Sequence, residues 1–559
     1  MSMSAQKHSL AVRFLPSLTD AAFFMPLVLL FGSMGGARTL LHDGDTGWHI
    51  RAGEWMLQNG RVPDRDFFSF TKPGEPWYAW EWLWDVSFAW LHQHWGMAAV
   101  LLASTFVLSL TFGLLFRLVR RKCDHDIIAI AITLLAAAGA SMHWLARPHL
   151  FTLLFIVIFY SLLERVRDGQ TRWLWWLPPL MVLWTNLHGG FLAGIMLVLA
   201  YAAGEMAAWL VEAEKENRQA ALARSKPFLL TALGCAAATF INPYGYRLHV
   251  HIYGYLTDSY HFQNIAEFLP TNFQHPVAIF YELMFFLVAV TAYIALRRKE
   301  FTYALLLVVW GHFALFSRRN IPILMIVAAP VVALQLREWL DGLRGAALAG
   351  WVRRGLVAFQ DQAAGFGAID RIPRFHLVSL AALLFITAMF YAPAPLPAFR
   401  AEYDAKRYPA GALETLRRPP AARHVFTHDE WGDYLIYKLY PATKVFIDGR
   451  SDFYGAAMGN ALMDILNLKH GWDAKLDSYR VDAILLPVDL PMAGALKESR
   501  RWRPVYDDGV AIVFEPAGPK MAPAAEKAST TQISGTDRDR KPARSENLTD
   551  MNPNRRRIT

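Results

Sequence analysis

Eight carboxylates stand between Leu41 and Asp85: Asp43, Asp45, Glu54, Asp64, Asp66, Glu75, Glu81 and Asp85. The stretch reads L-H-D-G-D-T-G-W-H-I-R, then G-R-V-P-D-R-D-F-F-S-F-T, then P-W-Y-A-W-E-W-L-W-D, so the acids are set among Trp and Phe. A plain connector between apolar segments does not need that mixture. Asp45 is the first candidate for a general base, a carboxylate that accepts or orients the proton of an attacking group. Asp43, two positions earlier, can share a divalent cation with it, and hard oxygen donors of this kind suit Mg2+ or Mn2+. His49 and Arg51 follow as contacts to a substrate or its phosphate; the ordinary alternative for His49 is a satisfied structural histidine. Glu81, in A-W-E-W-L, is a second candidate site carboxylate. Asp66 either caps the F-F-S-F run or touches the substrate. Glu54, Asp64 and Asp85 read as structural, and Trp48, Trp77 and Trp80 read first as interfacial anchors.

The rest of the chain must hold this stretch at a membrane surface. Of its 559 residues 54% are hydrophobic, and the mean hydropathy is +0.21. Apolar runs long enough to cross a bilayer recur at 19–39, 96–118, 127–145, 149–164, 173–188, 190–211, 227–243, 276–296, 302–317, 320–336 and 375–392, which makes about eleven helical spans. No small-residue cleavage site follows the first run, so it is expected to stay as a helix. Trp82 to Trp95 reads as an interfacial helix feeding the second span. With the N-terminus (1–17) inside, the loops at 117–122, 164–172, 212–226, 297–300 and 337–374 are cytoplasmic and rich in Lys and Arg, as the positive-inside rule asks. The acidic loop, 40–95, then lies outside, and so does the C-terminal region. The net charge of +9 is largely this loop bias and does not call for nucleic acid as a partner. Two cysteines, Cys123 and Cys235, indicate neither a disulfide framework nor a cysteine metal site.

Several outer turns carry residues that are costly near lipid: Arg147-Pro148-His149, Asn186-Leu187-His188, Asn242-Pro243, His261 through Glu267, and Arg318-Arg319-Asn320. Ionisable groups at membrane depth usually face the bundle or a wet cavity, which makes Arg147, His149, Asn186, His188, Glu267, Arg318, Arg319 and Asn320 candidates for substrate binding. For Asn186 and Asn242, turn punctuation is the plainer reading. Arg318 and Arg319 lie outside, against the charge rule, and a guanidinium pair there can hold a phosphate or diphosphate; the alternative is two snorkelling anchors.

After the membrane region (18–397), residues 398–517 change character. V-F-T (425–427), K-V-F-I-D (444–448), D-A-I-L-L-P (482–487) and A-I-V-F-E (511–515) read as short buried strands, with helical stretches such as 455–468 between them. This is a small α/β domain. Residues 518–559, rich in Pro, Ser, Thr and mixed charge, read as a disordered tail.

With these segments in view, the chain resembles the C-type (GT-C) membrane glycosyltransferases, which use polyprenyl-phosphate-linked or polyprenyl-diphosphate-linked sugars. Asp45-Thr46-Gly47-Trp48-His49-Ile50-Arg51, followed by Gly60-Arg61-Val62-Pro63 and Asp66, is similar to the first-loop pattern of oligosaccharyltransferase catalytic subunits, whose aspartate in such a run is at the active site. Glu430-Trp431-Gly432-Asp433-Tyr434 is similar to the W-W-D-Y-G motif of the same proteins, which implies acceptor binding by Trp431, Asp433 and Tyr434. The second acidic motif of those transferases has no counterpart between Met142 and His149, and Glu430 stands where their first Trp would be. The resemblance therefore implies a lipid-sugar-dependent transferase in a bacterial inner membrane, with the lipid-linked donor and membrane lipid as partners, and not protein N-glycosylation in particular. The rival reading is a non-catalytic transport or assembly protein. A transporter places ionisable residues near mid-span with broken helices there, whereas here they gather at the outer ends.

Overall fold

The computed structural model describes residues 10–344, 349–419 and 421–518; the expected tail beyond 518 and residues 1–9 lie outside the described residues. Residues up to Ala517 form one compact unit. In chain order its first helices are α1 (Leu18–Val28), α2 (Asp45–Asn59), α3 (Trp82–Cys123), α4 (Asp126–Ala140), α5 (His149–Arg167), α6 (Leu177–Leu187), α7 (Phe191–Val211) and α8 (Lys215–Ala238). They are followed by α9 (Tyr246–Thr257), α10 (Ser259–Asn264), α11 (Ala278–Arg297), α12 (Phe301–Phe316), α13 (Ile321–Arg344), α14 (Gly350–Asp370) and α15 (Leu377–Phe390).

Among the described residues, 7 helical stretches are long and apolar enough to cross a membrane: Val12–Ser33, Trp82–Cys123, Asp126–His143, His149–Arg167, Phe191–Val211, Ala278–Arg297 and Arg318–Leu343. Phe301–Phe316 and Leu377–Phe390 are shorter apolar helices. Every apolar run read from the sequence falls on a helix; of the four that are not among the seven, two are these shorter helices and two have local causes. Helix α6 has only 11 residues, and the first half of α8, K-E-N-R-Q-A-A-L-A-R-S-K, is polar. In α3, Gly96 adopts φ 72 and separates an arm over 82–95 from the long apolar part. The arm is where an interfacial helix was expected.

The C-terminal part begins with α16 (Leu413–Arg417) and β1 (His424–Phe426), then α17 (Asp429–Leu439), β2 (Lys444–Val445), α18 (Ser451–Leu466), α19 (Trp472–Ser478), β3 (Ala483–Pro487), α20 (Pro491–Lys497), β4 (Trp502–Asp507) and β5 (Ala511–Pro516). The sheet order is β2-β1-β3-β5-β4. Strand β1 runs parallel to β2 and β3, and β5 runs antiparallel to β3 and β4. The four apolar runs become β1, β2, β3 and β5. Strand β4 was not expected from the sequence: it lies at the sheet edge, carries Pro504 and has only one buried residue, Trp502, so it lacks an apolar run.

This sheet does not stand apart from the first loop. Phe70 N–H donates to Val445 O at 3.1 Å and Val445 N–H donates to Phe68 O at 3.3 Å, so residues 68–70 add themselves beside β2. Arg450 is buried and joins Asp66 of the loop to Asp448 of the domain, each at 2.7 Å. The loop (40–95) and residues 398–517 are one packed body on the end of the helix bundle, with the bundle's apolar side chains continuing below it.

Candidate functional site

Helix spacing explains how the loop gathers its acids. Asp45 and His49 are one turn apart on α2, and Glu81 and Asp85 are one turn apart at the start of α3, so each pair shares a helix face. Gly53, one further turn along α2, lies so close to α3 that a Cβ there would come within 2.0 Å of Asp85 O. That contact lets His49 Nδ1 reach Asp85 Oδ1 at 2.6 Å. On its other side, His49 Nε2 is 3.4 Å from Glu81 Oε2, and Glu81 Oε1 is 3.4 Å from His188 Nε2. Gly190 N–H donates to His188 Nδ1, which fixes that nitrogen as an acceptor and leaves the neutral ring's proton on Nε2, facing Glu81. Thr152 Oγ1, itself accepting from Trp184 Nε1, meets the same Nδ1 at 2.7 Å. Asp85, His49, Glu81, His188 and Thr152 therefore form one chain of proton-bearing groups. Burial pushes the Glu81 carboxyl up, Arg147 offsets part of that, and Asp452 and Asp45 push it further, to about 8. Burial, with Arg147 and His188 nearby, holds His49 well below the usual histidine range. The neutral acid and neutral imidazoles agree with each other.

A second cluster forms around Arg147, on the turn between α4 and α5. Its Nη1 is 2.9 Å from Asp43 Oδ2 and 2.7 Å from Glu267 Oε1, and its Nη2 is 2.5 Å from Asp45 Oδ2. The other face of Asp45 meets the C-terminal domain. A Cβ on Gly449 would lie 2.0 Å from Asp45 Oδ1 and 2.8 Å from Asp433 Oδ2, and Gly449 N–H donates to Asp433 Oδ1 at 2.8 Å. Glycine is the residue that leaves room for both carboxyls. They sit as an acid pair, in which two buried carboxyls in hydrogen-bond contact do not both ionise. Burial raises Asp45, Arg147 lowers it, and Asp43 and Glu267 raise it again, leaving it at about 7. Burial and then Asp45 push Asp433 well above the carboxylate range. Glu267 moves the other way: burial alone would raise it, but Arg147 and His143 hold it below the usual value.

Both clusters line one cavity of about 480 Å³. Asp45, His49, Glu81, Arg147, His149, His188, Glu267, Arg319 and Asn320 all reach it, drawn from the first loop, three turns of the bundle and the segment between α10 and α11. Arg319 lies over the Phe268 ring at 4.6 Å and makes no ion pair with a carboxylate among the described residues. Deeper in, the wall is apolar: Leu153, Met196, Trp310, Phe313, Phe316 and Ile323. The space is polar at the loop and apolar among the helices.

Other candidates lie elsewhere. Arg318 is exposed and does not line the cavity, because consecutive residues on the short helical turn at 318–320 point in different directions; the guanidinium pair does not form. Arg51 donates to Tyr437 O at 2.7 Å and pairs with Glu54, so it joins α2 to α17. Asp66 caps Phe68 and Ser69 N–H groups and pairs with Arg450. Asn186 accepts from Trp82 Nε1 at 2.6 Å and donates to Val182 O and Ile241 O, tying helix ends together. In the domain motif, Trp431 is buried with its Nε1 donating to Arg407 O, and Tyr434 is buried against Tyr403 and Tyr408. These two are core of α17, and only Asp433 of the three reaches the site, through Asp45.

Asp85, read from the sequence as structural, orients His49; the sequence did not single out Asp452, which lines the cavity and pairs with His251 at 2.9 Å, or His143, 3.9 Å from Glu267. The signal for Asp85 was present in its four-residue spacing from Glu81. The others are set by tertiary contacts alone. The expected divalent ion does not fit the side chains as they stand. The oxygens of Asp43, Asp45 and Glu267 that converge are taken by a guanidinium, and among the described residues no group of three or more His, Cys, Asp or Glu is arranged to hold a metal.

No family model and no curated protein matches this sequence. Among solved structures, the chain is similar to the oligosaccharyltransferase of Archaeoglobus fulgidus crystallised with zinc and sulfate. The identity is 14% and the TM-score 0.48, over 85% of this chain and 68% of that one.

Proposed function

We propose that the protein is a membrane glycosyltransferase that moves a sugar from a polyprenyl phosphate or diphosphate carrier to a glycan, lipid or protein acceptor outside the bacterial cytoplasmic membrane. The observation that carries this reading is the single cavity joining buried carboxyls and Arg319 to an apolar wall among the helices. Its shape and chemistry match a ligand with a charged headgroup, a sugar and a hydrocarbon chain. The similarity of the Asp45–Arg51 run to the first loop of polyprenyl-dependent transferases supports the same class.

In this reading the prenyl chain lies against Met196, Phe313 and Ile323, and the phosphate faces Arg319, which makes no ion pair with a carboxylate among the described residues. The acceptor oxygen or nitrogen attacks the anomeric carbon from the Asp45 side. As the new bond to that carbon forms, its bond to the phosphate oxygen breaks. The electron pair leaves with the phosphate, and the acceptor's proton passes to Asp45. Attack opposite the leaving phosphate inverts the anomeric centre. Asp433 positions Asp45 by sharing its proton, and burial keeps Glu81 neutral beside the sugar, between His49 and His188. The basic residues at the far end of the bundle, among them Arg120, Arg121, Lys122, Arg165 and Arg167, agree with a cytoplasmic far end and a periplasmic loop and C-terminal domain.

The test compares surface-glycan and glycolipid mass profiles of a deletion strain complemented with wild type or with Asp45→Asn at equal expression. A sugar-sized mass that is lost on deletion, returns with wild type and stays absent with Asp45→Asn supports the transferase. If Asp45→Asn restores all that wild type restores, a non-catalytic transport or assembly role replaces it.

A further inference from the structure

We propose that the Arg147 guanidinium is the built-in cation of this site: it occupies the place between Asp43, Asp45 and Glu267 that a divalent metal would otherwise fill, and the protein neither binds nor needs one there. The inference rests on the transferase reading only for what the charge is used for; the arrangement itself stands on the contacts.

Three carboxylates converging from two loops are what a hard divalent ion seeks. Here Nη1 bridges Asp43 and Glu267 while Nη2 holds Asp45, so the converging oxygens are already matched to a cation. Arginine stays protonated at any working pH. Although burial works against its charge, Asp43, Asp45 and Glu267 more than restore it.

The side chain is delivered by a fixed backbone. Ala146 N–H donates to Leu40 O at 2.8 Å, and Thr46 Oγ1 donates to Ala146 O at 3.1 Å. The turn that carries Arg147 is thus pinned on both sides of its peptide to the loop that carries Asp43 and Asp45. For a metal to enter, the guanidinium would have to leave three carboxylates and stay buried without them, which breaks a paired buried charge. A positive charge at this point draws the Asp45 carboxylate into place and leaves its other oxygen directed at Asp433. It does so with no water ligands and no metal affinity to satisfy.

The experiment uses the full-length protein in lipid nanodiscs, stripped with EDTA and titrated with Mn2+ while the free ion is followed by electron paramagnetic resonance. Wild type is expected to show no saturable Mn2+ site, and its transfer activity is expected to survive EDTA. Arg147→Ala, which leaves the three carboxylates around an empty space, is expected to gain one saturable Mn2+ site that disappears again in Arg147→Ala/Asp43→Asn. A saturable site in wild type that Asp43→Asn removes overturns the inference, and so does a folded Arg147→Ala that binds no Mn2+. Should Arg147→Ala fail to fold, the wild-type titration with its Asp43→Asn control decides alone. Because the titration reads binding and not transfer, its outcome is separate from that of the glycan profiles.

Discussion

The two ends of the helix bundle both bury acids, and they treat them differently. At the end away from the C-terminal domain, Glu164 is 3% exposed and its oxygens are filled by Lys122, by Tyr201 Oη at 2.5 Å and by Tyr303 Oη at 3.0 Å. Asp370 accepts from Arg120 at 2.7 Å and from Leu18 N–H at 2.8 Å. Asp20 takes Ser17, His376 and Ser379 together. Each of these acids is saturated, so it can hold helices together and do little else. At the cavity end, Asp45, Asp43 and Glu267 share one guanidinium, Asp45 and Asp433 share a proton, and Glu81 has only two neutral imidazoles. Asp85 Oδ2 has no hydrogen-bond partner among the described residues. The far end has one exception: Asp126 is buried there with Oδ1 unpartnered among the described residues and 3.8 Å from Arg120 Nε. Glu164, Asp370 and Asp20 are nevertheless tied up in packing, while the cavity acids are left under-compensated and so able to exchange protons.

Asp45 carries the largest expected effect. If the cavity end is the reactive one, Asp45→Asn lowers the rate of sugar transfer by about 10²–10⁴-fold, the range for removal of a general base, with melting temperature changed little; a reconstituted transfer assay reads this. Activity limited by that base rises with pH through about 7, where Asp45 ionises, and a pH–rate profile that stays flat across this window removes Asp45 from the role. Arg319→Gln is expected to raise the KM for the lipid-linked donor by about 10- to 100-fold, the loss of one charge-assisted contact.

At the far end the signs reverse. Glu164→Ala leaves Lys122 and two tyrosine hydroxyls without their acceptor and should cost about 1–3 kcal/mol of stability, while transfer per folded molecule is unchanged. A denaturation series beside the transfer assay separates the two effects. Glu81 gives a subtler contrast. Its folded value of about 8 lies above the ordinary 4.5, so the folded state holds a proton that the unfolded state gives up. Stability from this group therefore falls as pH rises between those values. Glu81→Gln should be more heat-stable than wild type at pH 8, with the difference shrinking towards pH 5. The smallest effect belongs to Arg318→Gln, which should leave donor KM unchanged beside the large shift in Arg319→Gln.

Much of the scaffold was legible in the chain. Apolar runs of span length fall on helices because an apolar stretch in lipid has to satisfy its own backbone hydrogen bonds. Four buried strands announced themselves as short β-branched and aliphatic runs. Strand β4 did not, since an exposed edge carries no such run. The site was legible as an inventory. Asp45, His49, Glu81, Arg147, His188, Glu267 and Arg319 all stood out as polar residues beside apolar segments and all line the cavity, whereas Arg51, from the same run as Asp45, does not.

Roles were decided elsewhere. Nothing in the order of residues says that Arg147 would lie among three carboxylates, that Asp433 would meet Asp45 across Gly449, or that Arg318 would point away while Arg319 points in. Trp431 and Tyr434 look like binding residues in a line of letters and become core once α17 lies against α2. Hydropathy and spacing act along the chain over one or two helical turns, and they fixed the elements and which faces carry charge. Which charges meet depends on contacts between residues hundreds of positions apart, such as Asp45 with Asp433 and Asp66 with Arg450, and only the packed loop and domain together decide those.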